Sequence, residues 1–415
     1  IVGHANAGGA NAVGASAFFL TPAFGENPPV LNYYSSVGNT PILFDTRGNP
    51  VNQIRQKPQF TAPDGGNNTF FGSDRAEDAD TWPNFFGTSA AAPHAAGVAA
   101  LLREEVPTVT PNGITTALQN TAIDMLQRET VSFGGPRVSI GVGFDNSSGA
   151  GLIDALGAAS VIQPPAGVGV WRPGTGRFYL DVNVSYTWNP GTDVVTVPFG
   201  VNSDLPVSGD WNGDGQTDVG VWRPSTGRFY LDINGNYLWD PGTDVITVPF
   251  GASGDLPVSG DWNGDGQTDV GVWRPSTGRF YLDINGNYLW DAGTDVITVP
   301  FGISTDRPVT GDWNGDGKTD VGVWRPSTGR FYLDINGTYV WEAGTDVITV
   351  PFGLSSDRPA TGDWNSDGIT DVGVWRPSTG RFYLDANGNY NWDPNIDVVT
   401  VPFGLVSDMP VAGVW

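Results

Sequence analysis

The sequence predicts two folding units of different class: a mixed α/β part over residues 1–162, then an all-β part over residues 167–415. Three observations carry this division. Trp171, Trp222, Trp273, Trp324 and Trp375 recur every 51 residues, each inside V-W-R-P, and series starting at Trp188 and Trp211 keep the same step. Fifteen of the 16 Trp are thereby in register, which marks a repeat architecture. Residues 1–162 contain no such repeat. That first part instead holds an Ala/Leu-rich run of helical composition, Ala90 to Arg103, and a second predicted helix from Thr110 to Leu126 opening near Pro111. Around these helices the sequence reads as short strands and Gly-rich loops. Gln163-Pro164-Pro165-Ala166 separates the two parts as a short, semi-rigid spacer.

Composition agrees with this reading and narrows the function. A chain of 415 residues has room for more than one core. With 58 Gly, 32 Pro and 15% charged residues it resembles a turn-rich β protein more than a helical one. The formal charge of -24 disfavours nucleic acid and anionic membranes as partners, because both need clustered Lys and Arg. Cations are not disfavoured. Without a single Cys, disulfides and thiolate metal sites are excluded. No apolar run is long enough to span a bilayer as a helix. Ile1 in place of an initiator Met is read as a processed chain or a fragment.

In the first part, the run Gly87-Thr88-Ser89-Ala90-Ala91-Ala92-Pro93-His94 places a Ser at the start of a helix after a Gly turn. Backbone N–H groups at a helix N-terminus are unpaired and partly positive, so an oxyanion formed by attack of Ser89 on a carbonyl would find a donor in place. A plain helix cap at Thr88 or Ser89 is the competing reading. Pro93 speaks against it, since it leaves a carbonyl one turn back, near Ser89, without a partner.

This octapeptide resembles the G-T-S-x-A-x-P-H nucleophile signature of subtilisin-like peptidases. Asn11-Ala12-Val13-Gly14-Ala15, Tyr34-Ser35-Ser36-Val37-Gly38, Lys57-Pro58-Gln59-Phe60-Thr61-Ala62-Pro63 and Gly149-Ala150-Gly151-Leu152-Ile153-Asp154-Ala155 are similar to further landmarks of that family, in family order. The resemblance implies the C-terminal part of an α/β subtilisin-like domain over residues 1–162, with Ser89 as the catalytic nucleophile. It also implies that the family's catalytic Asp and His, and the Asn of its oxyanion hole, lie upstream of the V-G-A strand. The chain has two histidines, His94 inside the nucleophile motif and facing away from Ser89, and His4, read as a surface or strand residue. A triad needs a base within reach of the hydroxyl and an acid to orient it. The chain alone is therefore expected to be inactive.

In the second part, four nine-residue stretches put side-chain oxygens at positions 1, 3, 5 and 9 and a main-chain carbonyl at position 7. The candidate metal ligands are Asp210, Asn212, Asp214, Gln216 and Asp218 in the first stretch, and Asp261, Asn263, Asp265, Gln267 and Asp269 in the second. The third and fourth supply Asp312, Asn314, Asp316, Lys318 and Asp320, then Asp363, Asn365, Asp367, Ile369 and Asp371. Gln216, Gln267, Lys318 and Ile369 take part through their carbonyls. An oxygen-only cage with three Asp suits Ca²⁺; Mg²⁺ usually keeps several waters and avoids all-protein cages. An EF-hand is excluded, because Asp218 falls at position 9 with a strand, not a helix, after it. Turn building by Asp and Asn alone is the alternative.

Each repeat reads as about four short strands. In the second repeat these are Val219 to Trp222, Thr226 to Asp232, a return at Tyr237 to Trp239 after an Asn234-Gly235 type I′ hairpin, and Val245 to Phe250. The pattern resembles the calcium-loop repeats of the FG-GAP and VCBS type over residues 167–415, which implies blades of a five-bladed β-propeller. Gly167 to Trp171 lacks a preceding acidic loop and Val411 to Trp415 ends the series, so the two ends are complementary halves of one blade. Their pairing would close a ring without exposed edges; an open stacked array is the alternative. Trp222, Arg223, Arg228 and Tyr230 and their repeats are read as core packing and inter-blade pairing, with stacking on sugars or peptides the competing use. The loops that vary, such as Val201-Asn202-Ser203 and Ala252-Ser253-Gly254, are where a ligand surface is expected.

These readings converge on a secreted or cell-surface serine endopeptidase acting on protein or peptide substrates. Its calcium-stabilised repeat domain provides stability or docks it to a surface polysaccharide, a surface protein or the substrate. A non-catalytic, calcium-dependent binding or structural protein with a lectin-like propeller and a protease remnant is the alternative.

Overall fold

The computed structural model describes residues 1–415 except 46 and 71. They form two compact units, Ile1–Gln163 and Pro164–Trp415. No helix among the described residues is long and apolar enough to cross a membrane.

In the first unit the strands Val13–Ala17 and Phe60–Asp64 pair in parallel. Gly14 is dictated by this pairing, since a Cβ there would lie 2.5 Å from Thr61 Oγ1. Helix α1 (Thr88–Glu105) packs across both strands, and its small residues Ala91 and Ala95 join Ala15, Phe60 and Ala62 in the core. Helix α2 (Pro111–Asn120) starts where the sequence places it, with Pro at N1 and the Thr110 hydroxyl accepting from Gly113 N. It ends six residues short of the expected Leu126. Ile123 instead exchanges backbone hydrogen bonds of 2.8 and 2.9 Å with Leu152, which takes the chain out of the helix. Helix α3 (Ala155–Val161) is capped by the Asp154 carboxylate.

The second unit contains five four-stranded antiparallel sheets. In the second repeat the strands are Leu205–Gly209, Asp218–Arg223, Arg228–Leu231 and Val245–Ile246, and the next three repeats copy this order. The remaining sheet joins the two ends of the repeat series. Gly167–Arg172 pairs with Met409–Gly413, from Gly167 opposite Gly413 to Trp171 opposite Met409. The first strands of neighbouring sheets touch in cyclic order, and Leu205–Gly209 also touches Met409–Gly413. Ser259, Thr310 and Thr361 each donate a hydroxyl to the carbonyl one repeat earlier, at 2.8 to 2.9 Å, and Ser208 donates to Ala412 O at 3.0 Å. A second belt runs through the acidic loops. Thr268, Thr319 and Thr370 N–H donate to the carbonyls of Asp210, Asp261 and Asp312, while Thr217 donates to Val414 and Ala166 to Asp363.

Two strand expectations differ from what is observed. Leu205–Gly209 and its copies are strands absent from the sequence reading, and Pro206 within Leu205–Gly209 cannot donate to a ladder. As the terminal strand of its sheet it has one side without a partner, where a missing N–H costs nothing. Tyr237 to Trp239 is no strand: the Asp232 carboxylate captures Tyr237 N at 2.7 Å and holds Tyr237 at φ 61°. The last strand is Val245–Ile246 only, since the Thr247 hydroxyl accepts from Phe229 N at 3.1 Å and Pro249 has no N–H to give.

Candidate functional site

The nucleophile turn is built around Gly87. Its φ of 130° lies in the region that favours glycine, and its carbonyl accepts the N–H groups of Ala90 and Ala91 at 2.8 and 3.1 Å. Ser89 follows as the second residue of α1, exposed, at the helix end where the N–H groups ahead of Ala90 have no carbonyl one turn back to bond. Behind it sits Asp64, fully buried at the end of its strand. Asp64 accepts Gly87 N–H at 2.7 Å, the Asn32 amide at 3.0 Å and the Tyr34 hydroxyl. Burial holds the Asp64 carboxyl above the usual range despite these donors. Burial, and then the bond to Asp64, push the Tyr34 hydroxyl well above its ordinary value. Asp64 thus fixes the turn that presents Ser89. It escaped the sequence reading because it stands one residue past the Lys57 to Pro63 stretch, with no spacing signal of its own.

Neither histidine is hydrogen-bonded to Ser89 among the described residues. His94 Nδ1 lies 2.7 Å from Pro63 O, which ties the ring to the strand end, and His4 sits in the 3₁₀ turn Gly3–Asn6. The site offers a hydroxyl and helix-terminal donors, without a base to take the proton.

The acidic loops have a common geometry. Asp210 Oδ1 accepts Gly213 and Asp214 N–H at 2.6 and 3.1 Å, and its Oδ2 accepts Gly215 N–H at 2.7 Å. Asp214 Oδ1 accepts Gln216 N–H at 2.8 Å. Gly215, at position 6, has φ 85°, so a glycine is required where the sequence places one. At position 9, Asp218 accepts Trp211 N–H at 3.2 Å and is almost fully buried, as are Asp269, Asp320 and Asp371. Burial first, and then neighbouring carboxylates, push these carboxyls up to about 7, 8, 8 and 9.

By donor type and charge these residues fit a hard divalent cation. They are all oxygens, and no Lys or Arg forms an ion pair with them among the described residues. Their spacing is a separate matter. Among the described residues the one trio of acidic side chains whose donor atoms all lie within 4.8 Å of one another is Asp74, Asp78 and Asp80, so the loop carboxylates stand wider than that.

A further set of acids, absent from the sequence reading, lies where the third strand of each sheet ends. Asp232, Asp283 and Asp385 are fully buried, and each has one carboxylate oxygen without a hydrogen-bond partner. Burial pushes each up to about 6. A carboxyl raised in the folded state favours folding most while protonated. Its contribution is full below the unfolded value, about 4, and is lost as pH rises through about 6. For Asp283 the ionised form at pH 8 costs up to about 3 kcal/mol. In chelator, Asp283→Asn is accordingly expected to raise the melting temperature at pH 8 by several degrees and to leave it unchanged at pH 4. Equal shifts at both pH values would show that the carboxyl is not perturbed.

Comparison with known proteins agrees with the division of the chain. Residues 5–151 match a model described as the subtilase family, and residues 261–323 match one described as an FG-GAP-like repeat. The subtilisin-like protease SBT2.3 of Arabidopsis thaliana is 31% identical over 154 residues, which are 34% of this chain and 17% of that protein. The matched part is thus about a sixth of that relative's length. Among solved structures, a symmetrical protein studied for its de novo evolutionary emergence overlaps 57% of this chain and 99% of its own, with TM-score 0.35 and 8% identity. A lectin of Agrocybe aegerita that recognises non-reducing terminal N-acetylglucosamine overlaps 57% and 62%, with TM-score 0.32 and 13% identity. Fervidolysin of Fervidobacterium pennivorans, a keratinolytic enzyme related to subtilisin, overlaps 97% and 54%, with TM-score 0.22 and 18% identity. None of the three superposes closely enough to assign a fold. The first part of the chain is subtilase-like, and the second carries an FG-GAP-like repeat over residues 261–323.

Proposed function

We propose that this chain supplies the nucleophile-bearing part of a subtilisin-type serine endopeptidase, joined to a calcium-stabilised, five-bladed β-propeller that stabilises or docks the enzyme outside the cell. The observation that carries the peptidase reading is Ser89, exposed at the N-terminus of α1 behind a glycine turn that a buried carboxylate holds in place. In this reading Ser89 Oγ attacks the peptide carbonyl. The N–H groups of the first turn of α1 receive the oxyanion, and Asp64 is a positioning residue that keeps Gly87 in its turn. The proton of Ser89 needs a base that this chain does not place beside it, so catalysis requires an additional His and Asp.

The propeller reading draws on the cyclic contacts of the five sheets and on the antiparallel pairing of Gly167–Arg172 with Met409–Gly413. The candidate calcium ligands are the oxygens at positions 1, 3, 5, 7 and 9 of the loops beginning at Asp210, Asp261, Asp312 and Asp363. Bound calcium supplies positive charge against three carboxylates per loop; the loop itself supplies the glycine turns that bring the oxygens round. Millimolar extracellular calcium suits such sites, which favours a secreted or surface-held protein.

A second reading is a binding protein with an inert protease remnant, favoured by the observation that neither His4 nor His94 is hydrogen-bonded to Ser89 among the described residues. A fluorophosphonate probe separates the two. The isolated chain is expected to remain unlabelled, and a chain extended with a subtilase segment that carries the missing Asp and His is expected to be labelled at Ser89 and not in its Ser89→Ala variant. Labelling of the isolated chain would contradict the missing base. An unlabelled extended chain would leave the binding protein as the better reading.

A further inference from the structure

The tryptophans of the repeats do not all do the same thing. In the series of Trp171 and Trp222 every ring is fully buried, and every indole N–H donates to a phenylalanine carbonyl at 3.1 to 3.2 Å. In the series of Trp211 the first four rings are nearly as buried and their indole N–H groups reach valine carbonyls, while Trp415, at the end of the series, is half-buried and its indole N–H has no partner. The series of Trp188, Trp239, Trp290, Trp341 and Trp392 is half-buried or partly exposed, and among the described residues none of its indole N–H groups donates to a protein acceptor. Packing accounts for the first series and for four rings of the second; the third packs only in part against the sheet cores, with its indole N–H groups left free of protein acceptors.

This third series lines the seams between successive sheets. Each ring stands edge-on to the phenylalanine of the preceding repeat, at 5.7 to 5.9 Å in all five seams, and close to a tyrosine of its own repeat at 5.8 to 5.9 Å. Beside them an arginine lies over the tyrosine ring at 4.1 to 4.3 Å and pairs with a buried aspartate at 2.8 Å. Between the first and second repeats these groups enclose a cavity of about 300 Å³, with Val201 and Ile246 exposed among its lining residues. Between the third and fourth repeats the same groups enclose about 240 Å³, with Ile303 and Ile348 in those places.

We propose that these seam cavities each bind one ring of a neutral polysaccharide, with Trp239, Tyr230 and their equivalents as the contact surface. The proposal rests on the docking role given above to the repeats and names the site and the ligand class. Aromatic walls suit the C–H faces of a sugar ring, and a free indole N–H beside them suits its oxygens. An anionic ligand is disfavoured, because each arginine is already neutralised by its aspartate and the chain carries -24 overall. An apolar peptide side chain would leave the indole N–H without an acceptor. The volumes lie at or below the lower end of small-molecule pockets, about 300 Å³, which matches one ring better than a longer segment. Equivalent seams at a fixed repeat suit a polymer of identical units, where linked weak sites add avidity.

The test uses the whole chain in calcium with cellohexaose, chitohexaose and laminarihexaose, and with a galacturonic acid hexamer and a proline-rich decapeptide as contrasts. Tryptophan fluorescence and the number of sugars bound are read together. At least one neutral hexamer is expected to bind with a sub-millimolar Kd, and the two contrasts are expected to leave the emission unchanged. Replacing Trp239→Ala and Trp341→Ala together should remove both of these sites and lower capacity by two sugar rings per chain. The exposed Ile246→Lys and Ile348→Lys pair should do the same without touching a core residue. Failure of all three neutral hexamers, binding unmoved by both pairs, or preference for a contrast probe would each overturn the proposal. If the chain still adheres to cells of the producing organism while ignoring the sugars, only this inference fails; if adhesion is absent too, the docking role fails with it.

Discussion

Deleting residues 409–415 is expected to cost the repeat unit several kcal/mol and to make the chain associate. Met409–Gly413 covers one side of Gly167–Arg172, a strand whose residues from Gly167 to Trp171 are buried. Its removal uncovers Trp171 and breaks the bonds from Ser208 to Ala412 and from Thr217 to Val414. It also leaves a bare strand edge, which pairs readily with another chain. As a measure of scale, truncating a fully buried aromatic such as Trp171 to Ala costs roughly 3–5 kcal/mol. Denaturant unfolding should show a lower midpoint, and light scattering should show concentration-dependent growth. A deletion variant with an unchanged midpoint and no association would mean that the repeats stand as an open array, each held by its neighbours alone.

Calcium withdrawal is expected to have the second large effect if the proposed loop sites are filled. A site held at 100 times its Kd adds about 2.7 kcal/mol to folding, so several independent sites add a sum that dominates the stability of the unit. EGTA in excess is expected to lower the melting temperature sharply, and returning calcium should restore it. A variant with Asp210, Asp261, Asp312 and Asp363 all changed to Asn should melt low in both conditions and ignore the chelator. If the wild-type chain melts at the same temperature with and without EGTA, the loops are turns and no more.

What the sequence disclosed and what it hid follow from the range of the interactions. The 51-residue register of tryptophans showed the repeats because each copy meets the same environment. The turn before Ser89 was legible because its parts are contiguous. Asp64 was not, since its partners Asn32, Tyr34 and Gly87 are far apart in the chain. The end of α2 at Asn120 depends on Leu152, and the strand Leu205–Gly209 on its place at the end of a sheet, neither of which local propensity contains. The Asn234-Gly235 turn followed hairpin chemistry in sequence, but the buried Asp232 took over the backbone of Tyr237. The three tryptophan series share one spacing and differ in burial and in what their indole nitrogens meet, neither of which the spacing contains.

The calcium reading of the acidic loops is tested most directly by counting ions with native mass spectrometry after exchange into calcium. Four ions per chain are expected, one for each loop beginning at Asp210, Asp261, Asp312 and Asp363, and three after Asp265→Ala, whose exposed carboxylate belongs to a single loop. A chain that holds no calcium at millimolar concentration, or whose count does not change with that substitution, would contradict it.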